Sequence, residues 1–100
     1  MQPNMRMLQQ MQNRIAKIQE ELGETIVKGS AGGGMVTVQV TGLKAVQSIK
    51  IAPEAIDPDD VELLEDTIVA AINDAMTNAE ALAADRMSAI TGGIKIPGLT

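Results

Sequence analysis

No phenylalanine, tyrosine or tryptophan occurs among the 100 residues of this chain, so any core has to be assembled from Ile, Val, Leu, Ala and Met. Aromatic side chains supply the largest buried areas, about 150–250 Å² each, and a domain of this length buries only roughly 60–70% of the surface its unfolded chain exposes. A monomer built from aliphatic side chains alone would be poorly filled, and burial against a partner is expected. Histidine and cysteine are absent as well. There is then no imidazole base, no thiolate nucleophile and none of the ligand sets that hold zinc, and without aromatics there is no platform on which bases could stack. The lack of cysteine suits a reducing cytoplasm. No apolar run approaches the roughly 20 residues of a spanning helix, and the start Met1-Gln2-Pro3-Asn4 has no basic-then-apolar signal pattern. A cytoplasmic protein with no membrane partner is expected.

The formal charge of -5 argues at first against a polyanionic partner. It is unevenly spread. Residues 1–50 hold six basic groups (Arg6, Arg14, Lys17, Lys28, Lys44, Lys50) against three acidic ones (Glu20, Glu21, Glu24), whereas residues 51–100 hold two basic and ten acidic.

Leu8, Met11, Ile15, Ile18 and Leu22 recur at alternating intervals of three and four, which predicts a helix from about Asn4 to Leu22 that Gly23 stops. The seam is too short for a free coiled coil, so it should pack on another helix of this domain or of a twin. Thr25-Ile26-Val27-Lys28 is a short strand candidate, and Gly29-Ser30-Ala31-Gly32-Gly33-Gly34 links it to a second strand in which Val36, Val38 and Val40 alternate with Thr37, Gln39 and Thr41. After a Gly42-Leu43 turn, Ala45, Gln47, Ile49 and Ile51 continue the alternation until Pro53 ends it. Three short strands with short links predict an antiparallel meander. Asp57-Pro58-Asp59-Asp60 reads as a helix start, with Asp57 as cap and Pro58 in the first position. The apolar stripe of this second helix runs through Val61, Leu64, Ile68, Ile72, Ala75, Ala79 and Leu82 to about Thr91. Its alanines would let a neighbouring helix approach, and Asn73-Asp74 and Thr77-Asn78 could mark a bend. The segment 92–100, with Ile94, Ile96 and Leu99 limited by Pro97, is expected to dock as a tail on a single domain spanning 1–100.

The glycine-rich segment resembles a phosphate cradle only superficially. It lacks the Lys-Ser/Thr ending and is followed by a strand rather than a helix, so a hairpin is expected. Glu54, Asp57, Asp59, Asp60 and Glu62 lack the central glycine and closing Glu of a calcium loop, and capping and solvation account for them. No base neighbours Ser30, Ser48 or Ser88, so no catalysis and no cofactor or metal are expected. Among the methionines, Met11 lies in the seam, while Met1, Met5 and Met7 are free to pack on a partner.

On a wheel of about 100° per residue, Arg6, Gln10, Asn13, Arg14 and Lys17 fall on the side of the first helix away from the seam. Such a strip of cations and amides donates hydrogen bonds to phosphate oxygens. The competing interpretation is a solvated face with Lys17 paired to Glu21, worth tenths of a kcal/mol.

Several segments in order now carry a resemblance: Met5-Arg6-Met7-Leu8-Gln9-Gln10-Met11-Gln12, Gly34-Met35-Val36-Thr37-Val38, Ile49-Lys50-Ile51-Ala52-Pro53-Glu54, Leu63-Leu64-Glu65-Asp66, Ala70-Ala71-Ile72-Asn73-Asp74-Ala75 and Gly92-Gly93-Ile94-Lys95-Ile96-Pro97-Gly98-Leu99. Together they resemble the YbaB/EbfC family of bacterial nucleoid-associated proteins over nearly the whole chain. The resemblance implies an α+β subunit of order α-β-β-β-α, with a three-stranded antiparallel sheet and two long helices, and a tweezer-like homodimer whose helices project as arms. It further implies double-stranded DNA bound between or along those arms, a place in the cytoplasm on the nucleoid, an influence on gene expression or DNA repair, and no enzymatic activity. Family DNA contacts attributed to the first and last helices correspond here to Arg6, Arg14, Lys17 and Arg86. Arg86 is the only cation of an acidic last helix, so phosphate contact should fall chiefly on the first.

The expectation is therefore a homodimer that binds double-stranded DNA through phosphate and shape, using Arg6, Gln10, Asn13, Arg14 and Lys17 with help from Arg86. The alternative is a protein-interaction adaptor whose acidic last helix and apolar tail engage replication or recombination proteins, with DNA association incidental.

Overall fold

The computed structural model describes residues 5–90, arranged as α1 (Met5–Glu24), β1 (Ile26–Ala31), β2 (Val36–Thr41), β3 (Val46–Ile51), a short 3-10 turn (Pro53–Ala55) and α2 (Val61–Ile90). The strands form one antiparallel sheet in the order β1-β2-β3. This is the expected α-β-β-β-α chain of the α+β class. The proposed tail, 92–100, lies outside the described residues.

Alternation decides which side of the sheet is core. Val36, Val38 and Val40 on the central strand are fully buried against Ala71, Ala75 and Ala79 of α2, and Val27, Ala31, Leu64, Ile68, Ile72 and Met76 pack around them. The alanines admit the sheet rather than a second helix, which corrects the expectation from their small size. At Gly29 the approach is so close that a Cβ would lie 2.2 Å from the Ala75 nitrogen and 2.7 Å from the Ala71 carbonyl oxygen. That contact explains why β1 continues through Gly29 to Ala31 instead of ending at Lys28, since glycine here serves close approach inside a strand. The turn proper is Gly32–Met35, where Gly32, Gly33 and Gly34 all have positive φ and the Met35 amide donates to the Gly32 carbonyl (3.3 Å).

Three other boundaries differ from the sequence reading. Helix α1 does not stop at Gly23. It continues to Glu24, and Thr25 closes it by donating from Oγ1 to the Glu21 carbonyl (2.7 Å), while the Gly42 amide donates to the Leu22 carbonyl (2.9 Å). Helix α2 begins at Val61, with Asp60 as its cap: Oδ1 accepts from the Leu63 amide (3.3 Å), and Asp57 instead holds a tight turn by accepting from the Asp59 amide (3.0 Å). In β3, a bulge pairs Gln39 with Ser48 but Val40 with Val46, so Val46 joins Ile49 and Ile51 on the valine face where strict alternation would have placed Ala45 and Gln47.

Asp74 and Asn78 do not interrupt α2, which is one helix from Val61 to Ile90. They seal the outer edge of β1: Asp74 Oδ2 accepts from the Ser30 amide and Asn78 Nδ2 donates to the Lys28 carbonyl, both at 2.9 Å. An open strand edge is a template for unwanted pairing, and these side chains occupy it.

Candidate nucleic-acid interface

Helix α1 reaches the body of the molecule only at its C-terminal end. Leu22 is buried against the Gly42 turn, Ile15 and Ile18 are half-buried, and Leu8 and Met11 remain 42% exposed. Among the described residues, the seam seen in sequence is thus covered chiefly over its last turns. Helix α2 crosses the sheet and then runs antiparallel beside α1, so that Ala89 and Ile90 stand level with Arg14–Ile18. The segment Met5–Asn13 extends past this level, and the described chain is elongated, 66 × 25 × 16 Å.

Arg6, Gln10, Asn13, Arg14 and Lys17 are all exposed on that projecting helix, within an arc of roughly 100° at 3.6 residues per turn. Lys17 does not pair with Glu21. Among the described residues the ion pair that forms is Lys44 Nζ to Glu80 Oε1, 2.9 Å, between the β2–β3 turn and α2. The strip is also free of carboxylates along residues 5–19, after which Glu20, Glu21 and Glu24 follow toward the sheet. This polarity along the helix was legible in the sequence once the helix was placed, and it confines attraction for an anion to the outer turns.

A cleft of about 300 Å³ opens between the helices, lined by Arg14, Lys17, Ile18, Glu21, Ala89 and Ile90. It brings Arg14 and Lys17 together with the end of α2. Arg86, exposed on α2, sits one turn before Ala89 and Ile90 and is not part of the lining. Arg6, Gln10 and Asn13 lie farther out on α1. Periodicity of either helix alone carries no sign of the cleft, because it depends on how the two cross. No group of three or more His, Cys, Asp or Glu side chains able to hold a metal occurs among the described residues, and no described helix is long and apolar enough to cross a membrane.

A model of the YbaB/EbfC DNA-binding family matches residues 1–94. A nucleoid-associated protein of Chloroflexus aurantiacus is 56% identical over 91 residues, which are 91% of this chain and 91% of that protein. Another, from Caldanaerobacter subterraneus subsp. tengcongensis, is 54% identical over 91 residues, 91% of this chain and 82% of its own. Among solved structures, an uncharacterized protein from Helicobacter pylori has the same fold, with a TM-score of 0.76 over 91% of this chain and 100% of that chain at 22% identity.

Proposed function

The chain belongs to the YbaB/EbfC DNA-binding family, and from that premise we propose that it binds double-stranded DNA as a homodimer, through phosphate and shape contacts made by the outer turns of α1. The observation that carries this reading is the exposed, carboxylate-free strip of Arg6, Gln10, Asn13, Arg14 and Lys17. Guanidinium, ammonium and amide groups donate to phosphate oxygens and fix the protein on a duplex without reading bases. Arg86 adds a contact from α2 where the two helices run together. Like the relatives named nucleoid-associated proteins, this protein would act in the cytoplasm on the nucleoid, with effects on gene expression or DNA repair following from occupancy of DNA and not from catalysis.

Homodimerisation is supported by an unfinished surface. Val46 and Ile49 share the valine face of the sheet, yet α2 covers β1 and β2 and leaves these side chains 47% and 42% exposed. A second copy covering β3 would complete the core that the aromatic-free composition leaves thin, and would hold two α1 arms at a fixed spacing. Met5, Leu8 and Met11 would remain available along those arms.

The test is Arg14→Glu with Lys17→Glu, assayed by electrophoretic mobility over a salt series. Each lost phosphate contact should flatten the slope of log K against log salt by about 0.9, and unrelated duplexes of equal length should lose affinity alike. Unchanged binding by a folded, dimeric variant would remove α1 as the contact.

A further inference from the structure

We infer that the sheet carries a second surface for double-stranded DNA, on the face opposite α2, with Lys28 and Lys50 as its cations. The inference rests on the DNA-binding reading above and adds a site away from the α1 strip.

The strand register lays this surface out as a grid. Residues paired across antiparallel strands share a face, and the buried valines at 36, 38 and 40 face α2, so their neighbours face away. One row is Ser30, Thr37 and Lys50; the next is Lys28, Gln39 and Ser48. These two rows are wholly polar, and the row beyond them pairs the exposed Ile26 with Thr41. Lys28, Ser30 and Lys50 are exposed and the other three half-buried. Strands about 4.8 Å apart and same-face residues about 6.7 Å apart put the two lysine Cα atoms roughly 12 Å from each other, on a diagonal with hydroxyl and amide donors between them.

Charge selects the ligand. No carboxylate occurs between Glu24 and Glu54, a stretch containing three lysines, in a chain whose net charge is -5. Lys44 is held by Glu80 at 2.9 Å, whereas Lys28 and Lys50 form no ion pair among the described residues, and the Asp74 carboxylate at the β1 edge is engaged by the Ser30 amide (2.9 Å). Duplex DNA presents one charge per about 1.7 Å of axis, so a 12 Å span offers about seven. A protein partner would instead be anchored by a cluster of apolar or aromatic groups, and the strands offer only Ile26, at the end of this face.

Lys28→Glu with Lys50→Glu, in the full chain, should lower affinity for a short labelled duplex and flatten the salt slope by about 1.8 for each subunit whose sheet touches the duplex, equivalent to a roughly tenfold change per subunit in the parent-to-variant affinity ratio between 50 and 200 mM salt. Lys44→Glu changes charge in the same segment at an already paired residue and should leave the slope as it is. Should the double reversal disturb helicity or dimer mass, Lys28→Gln with Lys50→Gln makes the same comparison with the charges merely removed. Parent-like affinity and slope in the folded variant would overturn the inference, as would an equal effect of Lys44→Glu, which would report net charge alone. If Arg14→Glu with Lys17→Glu is neutral while the sheet variant loses binding, the arm reading fails and the sheet surface stands. If the parent binds no duplex, the DNA reading itself fails, and this surface with it.

Discussion

Single residues matter most here where backbones meet. Gly29 is the tightest such point, since any Cβ would fall on the backbone of α2 at Ala75. Neither element can yield without losing the valine–alanine core, so Gly29→Ala is expected to cost about 3 kcal/mol, the upper end of overpacking penalties. Gly33→Ala makes a useful contrast, because nothing lies within 4 Å and only its φ of +66° opposes a side chain, a cost of about 1 kcal/mol. Urea unfolding followed by far-UV circular dichroism measures both, the chain having no tryptophan to report. Equal losses would mean that α2 lifts from the sheet more easily than its packing implies. Gly42 plays a similar part for the arm: a Cβ there would meet the Leu22 carbonyl oxygen at 2.8 Å, so its absence lets α1 seat against the β2–β3 turn.

Among the elements, α2 has three duties along its length. Its first turn is capped by Asp60, its middle closes the core and seals the β1 edge through Asp74 and Asn78, and its last turns run beside α1. Asp60→Ala removes the side chain that takes the Leu63 amide and should lower stability by about 1 kcal/mol. Asp57→Ala, which loses only a turn contact to the Asp59 amide, should cost less than half of that. The reverse order in thermal unfolding would restore Asp57 as the cap. The acidic character of α2 also bears on α1: with six carboxylates on one helix and Arg86 its single cation, α2 itself offers an anion little attraction, and the proposed contacts fall on the outer turns of α1 and on strands that carry no acidic residue of their own.

For the whole molecule, the decisive quantity is apolar surface left open. Val46 and Ile49 lie on the core side of the sheet and stay 47% and 42% exposed. Sedimentation at micromolar concentration should give twice the 10.5 kDa chain mass, and Val46→Glu with Ile49→Glu should return the chain to monomers with its helix content kept. At about 25 cal/mol per Å² of apolar surface, covering such side chains is worth kilocalories per subunit, and two buried carboxylates would forfeit it. The monomeric variant should also bind DNA more weakly, because two linked arms act at a raised effective concentration. A dimer that survives both substitutions would move the interface elsewhere.

Much of this was open to inspection in the sequence. The 3.5-residue seam on α1, the valine alternation of β2 and the stripe on α2 are local periodicities, each set by how one element repeats, and they predicted element order, antiparallel pairing and the core valines. The strip from Arg6 to Lys17 was visible for the same reason, since helical phase alone puts those residues on one side. Other features required atoms distant in sequence to meet. The bulge that turns Val46 inward is a property of two paired strands, and the passage of β1 through Gly29 depends on α2 forty-odd residues away. Asp60 replaces Asp57 as cap because the link from β3 makes a tight turn before the helix starts. The cleft joining Arg14 and Lys17 to Ile90, and the pairing of Lys44 with Glu80 while Lys28 and Lys50 form no ion pair among the described residues, were decided only by tertiary packing: a charge pattern along the chain says which groups exist, and the distances that set their electrostatics exist only once the chain has folded.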